Sequence, residues 1–368
     1  MSLSRLFRTA ALSLSFVLMP WVAIAEERPT IQLAILLDSS NSMDGLIDQT
    51  RSQIWTVVNA LTDVRKDGQV PNFEVALYHY GNDSLPSYEG FNRQLTDFTP
   101  ELDNVSEKLF EIQTNGGQEY SGWVIKSAVN QLTWEDDSDD FRAIFIAGNE
   151  PFDQGKVGWQ EAIALAKTED IIVNTIYCGS AENRERALWA EGAEIASGAN
   201  FNINQDRAVI VRPSPYDDDI RALNDKLNST YIPYGDFGTR GLNRQIQQDV
   251  NAGAAIVTRG SSKSSAYYRI ASWDLVDALE EEAVDLETLP DEALPLSLQG
   301  LTLEEKTSFI SGVEAEREET QAQIRELTLK REEYLRNLPV DEDVTDTLDY
   351  AMIQSLREQL ARKGFVLE

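Results

Sequence analysis

Residues 31–43 read Ile-Gln-Leu-Ala-Ile-Leu-Leu-Asp-Ser-Ser-Asn-Ser-Met. The first seven are apolar apart from Gln32, the pattern of a strand buried on both faces rather than one whose alternate residues meet water. Asp38 ends the run. In an extended segment side chains alternate, so Asp38, Ser40 and Ser42 project to one side and three hard oxygen donors converge. A stretch with helical period, Ile47 to Leu61, follows at once.

The same alternation of types continues outward. Residues 73–80, 142–147 and 171–178 are further short β-favouring runs, and helical patterns at Ser121–Leu132, Trp159–Thr168 and Arg184–Ser197 separate them. Strand and helix in strict succession predict an α/β fold with a doubly wound, mostly parallel sheet. Phe91 to Leu95 reads as an antiparallel edge strand reached through a turn at Gly81, Asn82 and Pro86. Asp38, Ser40 and Ser42 then stand at the carboxyl end of the first strand, where such sheets hold their ligands. A carboxylate and two hydroxyls suit Mg²⁺, with Ca²⁺ or Mn²⁺ as alternatives, better than metals that seek His or Cys.

The α/β pattern fades after Asn204, and Pro213 and Pro215 mark a boundary. Residues 207–300 read as a mixed, mainly helical extension, with helices near Asp219–Leu227, Arg240–Asn251 and Ile270–Glu282, a Gly/Ser-rich loop around Gly260–Ser265, and a connector at Leu289–Leu296. Residues 301–368 read as charged amphipathic helices. The first, Thr302–Arg336, carries a thin stripe of Phe309, Val313, Ile324, Leu327, Tyr334 and Leu335, interrupted by Glu316, Thr320 and Arg331. It either folds back on its own chain or pairs as a coiled coil, a route to self-association. The second, Thr345–Lys363, puts Leu348, Met352, Leu356 and Leu360 on one face and stops at Gly364.

Composition narrows the function classes. Sixty-two acidic against 32 basic residues give a formal net charge of -30, which repels phosphate backbones, so nucleic acid is not an expected partner. Arg5 and Arg8, the apolar stretch Thr9–Met19 and the small-residue triplet Ala23-Ile24-Ala25 form the pattern of a signal peptide over residues 1–25, with a periplasmic or secreted product and no membrane span after cleavage; the alternative is an uncleaved anchor, for which the apolar stretch is short. The single cysteine, Cys178, permits no intrachain disulfide. The single histidine, His79, excludes a histidine metal cluster, and no nucleophile elbow accompanies it. The Glu135–Asp140 acidic run lacks the central glycine of a calcium-binding loop.

The Asp38-x-Ser40-x-Ser42 motif, the aliphatic strand before it, the helix after it and the later Gly116-Gly117 turn together resemble the von Willebrand factor A family over residues 29–206. That resemblance implies a Rossmann-like domain whose metal-ion-dependent adhesion site begins with this motif. A threonine usually follows the glycine-rich turn as a ligand; here Gln118 or Glu119 takes its place. The family's third loop carries an aspartate where this chain has Gly148, followed by Asn149 and Glu150. With Glu119 as the compensating ligand the ion still meets two carboxylates. The expected function is a non-enzymatic binding module in which an acidic side chain of a protein partner completes the metal shell. The alternatives are a metal-free scaffold, or a metal-dependent hydrolase using Asp38 with Glu119 or Glu150. Leu227–Gly235, Ala315-Glu316-Arg317 and Leu329-Lys330-Arg331 resemble the C-terminal part of exported bacterial A-type proteins.

Overall fold

The computed structural model describes residues 28–180, 183–204, 212–339 and 347–367. The expected leader at residues 1–25 lies outside the described residues. The first part of the chain runs β1 (Thr30–Asp38), α1 (Asp44–Asn59), β2 (Val64–Arg65), β3 (Asn72–Tyr80), β4 (Asn92–Thr99), α2 (Leu102–Glu111), α3 (Ser121–Gln131), β5 (Phe141–Gly148), α4 (Trp159–Thr168), β6 (Ile172–Cys178), α5 (Arg186–Ile195) and β7 (Asn200–Ile203). The second runs α6 (Asp217–Asn228), α7 (Gly238–Ala252), α8 (Ile256–Lys263), α9 (Leu275–Glu280), α10 (Leu303–Arg336), α11 (Leu348–Arg362) and β8 (Val366–Leu367).

Six strands form one sheet in the order β4-β3-β1-β5-β6-β7, with every neighbouring pair parallel except β3 and β4. β1 is central and buried along its length, which is why its sequence is apolar on both faces. Ile31, Leu33, Ile35 and Leu37 face one layer with α1, α2 and α11, whereas Ala34 and Leu36 face the other with α3, α4 and α5. Strand β4 runs on to Thr99, beyond the Phe91–Leu95 expected. Helix α2 and strand β7 had no counterpart in the sequence reading. α2 is short, and it earns its place by burying Leu102, Val105 and Leu109 against α1 and the sheet.

The Gly260–Ser265 segment corrects an expectation, because Gly260–Lys263 belong to helix α8 and are buried. Small residues read locally as a loop. In the fold Gly260 faces Ile220 and Asn224 of α6, and Ser262 faces α1, where its hydroxyl donates to the Asn59 side-chain oxygen at 2.7 Å and the Trp55 carbonyl at 3.2 Å. The helix expected at Ile270–Glu282 begins only at Leu275, because Asp274 caps it by accepting from the Asp277 amide at 3.0 Å.

Helix α10 starts at a capping box between Thr302 and Glu305 and folds back on α6 and α8. Its buried face differs from the apolar stripe read from sequence: Ile310, Arg317, Thr320 and Ile324 are buried, while Phe309 is exposed. Helix α11 returns to the sheet and packs on α1, β6 and β7. Leu348, Met352, Leu356 and Leu360 enter the same apolar cluster as β1, as their spacing foretold. β8 then pairs antiparallel with β2.

Candidate metal centre

The first strand delivers Asp38 to the carboxyl edge of the sheet, and three loops close around it. The Ser39 amide donates to the Tyr80 carbonyl at 2.8 Å, and the Ser39 carbonyl accepts from the Asn115 amide at 3.1 Å. The Asn41 amide reaches the Gly116 carbonyl at 2.9 Å. Asn82 adds its side-chain amide to the Ser39 carbonyl at 3.2 Å and the Gln113 carbonyl at 2.8 Å. The loops after β1, β3 and α2 therefore act as one framework, in which backbone polar groups satisfy each other.

Asp38 is fully buried. Its Oδ1 accepts from the Ser40 amide at 2.8 Å, while its Oδ2 is buried without a hydrogen-bond partner. Burial pushes its carboxyl up to about 7 against the pull of the Ser40 amide and hydroxyl; the charge of Glu150 adds a smaller rise, and the Asn149 amide opposes it. The Ser40 and Ser42 hydroxyls lie 3.1 Å apart, and the Asn149 side-chain amide donates to Ser42 at 3.0 Å. Glu119 is 6% exposed, and its Oε2 is also buried without a partner.

Two glycines bring these groups together. A Cβ on Gly81 would lie 2.6 Å from Glu119 Cγ and 2.7 Å from Asp38 Oδ1, and Gly81 has a φ of +73°. A Cβ on Gly117 would lie 2.5 Å from Glu119 Oε1 and 3.3 Å from Ser40 Cβ. Asp38, Ser40 and Glu119 thus share one small space that only glycine leaves open.

The donor set fits a divalent cation. Two buried carboxylate oxygens lack partners, an arrangement that costs free energy unless a counter-charge is present; the Ser40 hydroxyl neighbours the Asp38 carboxylate, and the Ser42 hydroxyl lies 3.1 Å from that of Ser40. Asp38, Ser40, Ser42 and Glu119 would hold the ion, which would supply a Lewis-acidic position for an oxygen ligand. Among the described residues no group of three or more His, Cys, Asp and Glu side chains is placed to hold a metal, so the hydroxyls are integral to this candidate.

Other residues named from sequence lie at the rim. Gln118 is exposed and accepts from the Tyr120 hydroxyl at 3.2 Å. Glu150 is exposed and accepts from the Gln154 side chain at 3.2 Å. Asn149 touches the centre through Ser42. At Gly148 a Cβ would meet the Tyr80 hydroxyl at 2.5 Å and the Trp189 ring at 3.0 Å, so a carboxylate has no room there. Tyr80 fills that space and donates to the Ala147 carbonyl at 3.1 Å.

His79 and Cys178 serve packing. His79 Nδ1 lies 2.9 Å from the Ser39 hydroxyl, and burial with the nearby Arg93 pushes its pKa down to about 4. Ser39 is fully buried and cannot meet a substrate. Burial pushes the Cys178 thiol well up, which disfavours the thiolate. Sequence reasoning missed Gly81, Tyr80 and Asn82 as parts of the centre, since only the turn character of Gly81 and Asn82 was visible.

The family model for the von Willebrand factor type A domain matches residues 32–209. No curated protein matches the chain. Among solved structures, proximal thread matrix protein 1 from the mussel byssus, with a zinc-occupied MIDAS motif, is 11% identical with a TM-score of 0.38; the match covers 49% of this chain and 43% of that one. The chain thus spans less than half the length of the mussel protein. The vWF domain of the type V pili tip protein Mfa5 from Porphyromonas gingivalis is 11% identical, with a TM-score of 0.36 and 49% and 91% of the two chains covered. The pilus adhesin SpaC from Lactobacillus rhamnosus GG is 10% identical, with a TM-score of 0.35 and coverage of 49% and 28%. The family match, on a sheet of this order with the Asp38–Ser42 motif at its carboxyl edge, identifies residues 32–209 as a von Willebrand factor type A domain.

Proposed function

We propose that this chain is an exported binding protein whose A-type domain holds a divalent cation, Mg²⁺ by its oxygen donors, at Asp38, Ser40, Ser42 and Glu119. A protein partner completes the ion's shell with an acidic side chain. The fold is one often used for protein–protein binding. The observation that carries the reading is a pair of buried, partnerless carboxylate oxygens, Asp38 Oδ2 and Glu119 Oε2, on two side chains that both crowd Gly81. Without a cation, two such groups only cost stability. The N-terminal Arg5–Ala25 pattern supports export, and no helix among the described residues is long and apolar enough to cross a membrane.

Titration calorimetry with Mg²⁺ tests the reading. The wild type binds, and Asp38→Ala and Glu119→Ala each lose affinity while remaining folded. Asp38→Asn behaves differently in the two states: it removes an uncompensated charge, so in chelator at pH 8 it is more stable than the wild type by about 1–3 kcal/mol. Added Mg²⁺ then stabilises only the wild type. A wild type whose melting is indifferent to every divalent cation overturns the proposal in favour of a metal-free scaffold.

A further inference from the structure

We infer that Arg51 is the positioning residue of this cradle: by tying the carboxyl end of α2 to α1, it sets where the Gln113–Glu119 segment lies against the Asp38–Ser42 loop. The inference rests on the cation reading above.

Helix α2 ends at Glu111, and the last carbonyls of a helix have no partner within it. Arg51 supplies partners from α1. Its Nε donates to the Leu109 carbonyl at 3.0 Å, and one terminal nitrogen donates to the carbonyls of Ile112 at 2.7 Å and Phe110 at 3.4 Å. The other terminal nitrogen is held by Asp48 at 3.1 Å, and the guanidinium carbon lies 5.3 Å from the Phe110 ring centroid. A planar fork with five donors suits this task, and its charge favours a helix carboxyl end.

The chain leaves this grip and enters the cradle without slack. Gln113 accepts from Asn82, the Asn115 amide donates to Ser39, the Asn115 carbonyl accepts from Asp83 at 3.0 Å, and the Gly116 carbonyl accepts from Asn41. Thr114 donates to Asp44, the first residue of α1. The segment carrying Glu119 is therefore clamped between α1 at one end and the Asp38–Ser42 loop at the other. A Cβ at Gly117 would lie 3.3 Å from Ser40 Cβ and 2.5 Å from Glu119 Oε1, so this segment packs directly on the Asp38–Ser42 loop and its drift carries Glu119 away from Ser40. Arg51 touches no proposed ligand of the ion. It acts through the backbone that carries one.

The test compares full-length wild type, Arg51→Met, Arg51→Lys and, as a control for stability alone, Arg331→Met, which removes an ion pair to Asp217 in the helical region. Mg²⁺ affinity, thermal stability and amide hydrogen exchange over residues 113–118 are read for each. Arg51→Met is expected to weaken Mg²⁺ by about tenfold or more, as loss of a supporting residue does in metal sites, and to speed exchange over 113–118. Arg51→Lys, with one ammonium in place of the fork, falls between. The control melts lower with unchanged affinity and exchange. Should Arg51→Met not fold, the lysine variant carries the comparison. Wild-type affinity and wild-type protection in the Arg51 variants overturn the inference, as does an equal loss of affinity in the control. A wild type that binds no Mg²⁺ defeats the cation reading alone. The exchange data then decide Arg51 separately: faster exchange supports its positioning role, and unchanged exchange refutes it.

Discussion

Arg259 of α8 donates to the Asp103 carboxylate of α2 at 2.5 Å, across 156 residues of sequence. Its guanidinium is fully buried, also meets Asp249 at 2.6 Å, and lies 4.6 Å from the ring centroid of Trp55 on α1. One side chain thus joins α1 and α2 of the A-type domain to α7 and α8 of the helical region. Lys263, equally buried, reaches the same Asp249 at 3.3 Å. Burial alone would raise the Asp249 carboxyl, but Lys263 and Arg259 hold it down to about 2.

Removing Arg259 leaves Asp103 and Asp249 buried with too little counter-charge. Arg259→Met is expected to cost about 3–5 kcal/mol, the range for breaking a buried ion pair from one side. Urea denaturation reads this as a lower midpoint at unchanged slope. A loss under about 1 kcal/mol would mean that the pair contributes no more than a surface salt bridge.

The second buried network is unbalanced, and this sets a pH dependence. Arg317 of α10 meets both Asp274 at 2.7 Å and Asp277 at 2.8 Å, so two carboxylates share one guanidinium. Burial, then the charge of Asp274, push Asp277 up to about 6 against the pull of Arg317. Its folded value lies above its unfolded value, so the fold binds the proton more readily and the contribution to stability is lost as pH rises through 6. Between pH 7.5 and pH 5 the wild type should gain about 1 kcal/mol relative to Asp277→Asn. Parallel pH profiles of the two proteins would contradict this. The difference also cancels Asp38, which titrates in the same window.

Helix α11 is specified by polar as well as apolar contacts. Asn174 on β6 and Gln359 on α11 are buried and exchange hydrogen bonds of 3.0 and 2.5 Å. Gln359→Leu strands the Asn174 amide, at a cost of about 1–3 kcal/mol, whereas the double change to Asn174→Leu and Gln359→Leu should recover part of it. A double-mutant cycle measured by denaturation gives the coupling. Additive losses would show that the two side chains do not act as a pair.

What local pattern could express was legible. Continuous apolar runs declared the four inner strands, because a strand buried on both faces has little use for polar residues. The Asp38–Ser42 motif offered the candidate site, but the extended alternation by which it was read stops at Asp38: residues 41–43 form a 3-10 turn, and that turn sets the Ser42 hydroxyl 3.1 Å from Ser40. Leu348, Met352, Leu356 and Leu360 declared the apolar face of α11 by helical spacing. Glu119 was named through the family resemblance, as one of two residues in the place of a threonine, yet its approach to Asp38 depends on Gly81, which comes from another loop. Tyr80 decides that no carboxylate fits at Gly148, and nothing near residue 148 says so. Helix α8 was misread because Gly260 and its serines look like a loop until α1 lies against them. Nothing near Arg259 or Arg317 in the chain marks them as buried, since a side chain's burial depends on partners far along the chain. Sequence by itself determined the order of the main strands and helices of the A-type domain, which follows from periodicity. Tertiary structure alone decided which charges were taken out of water and what neutralises them, because that depends on distances between segments and not on their spacing in the chain.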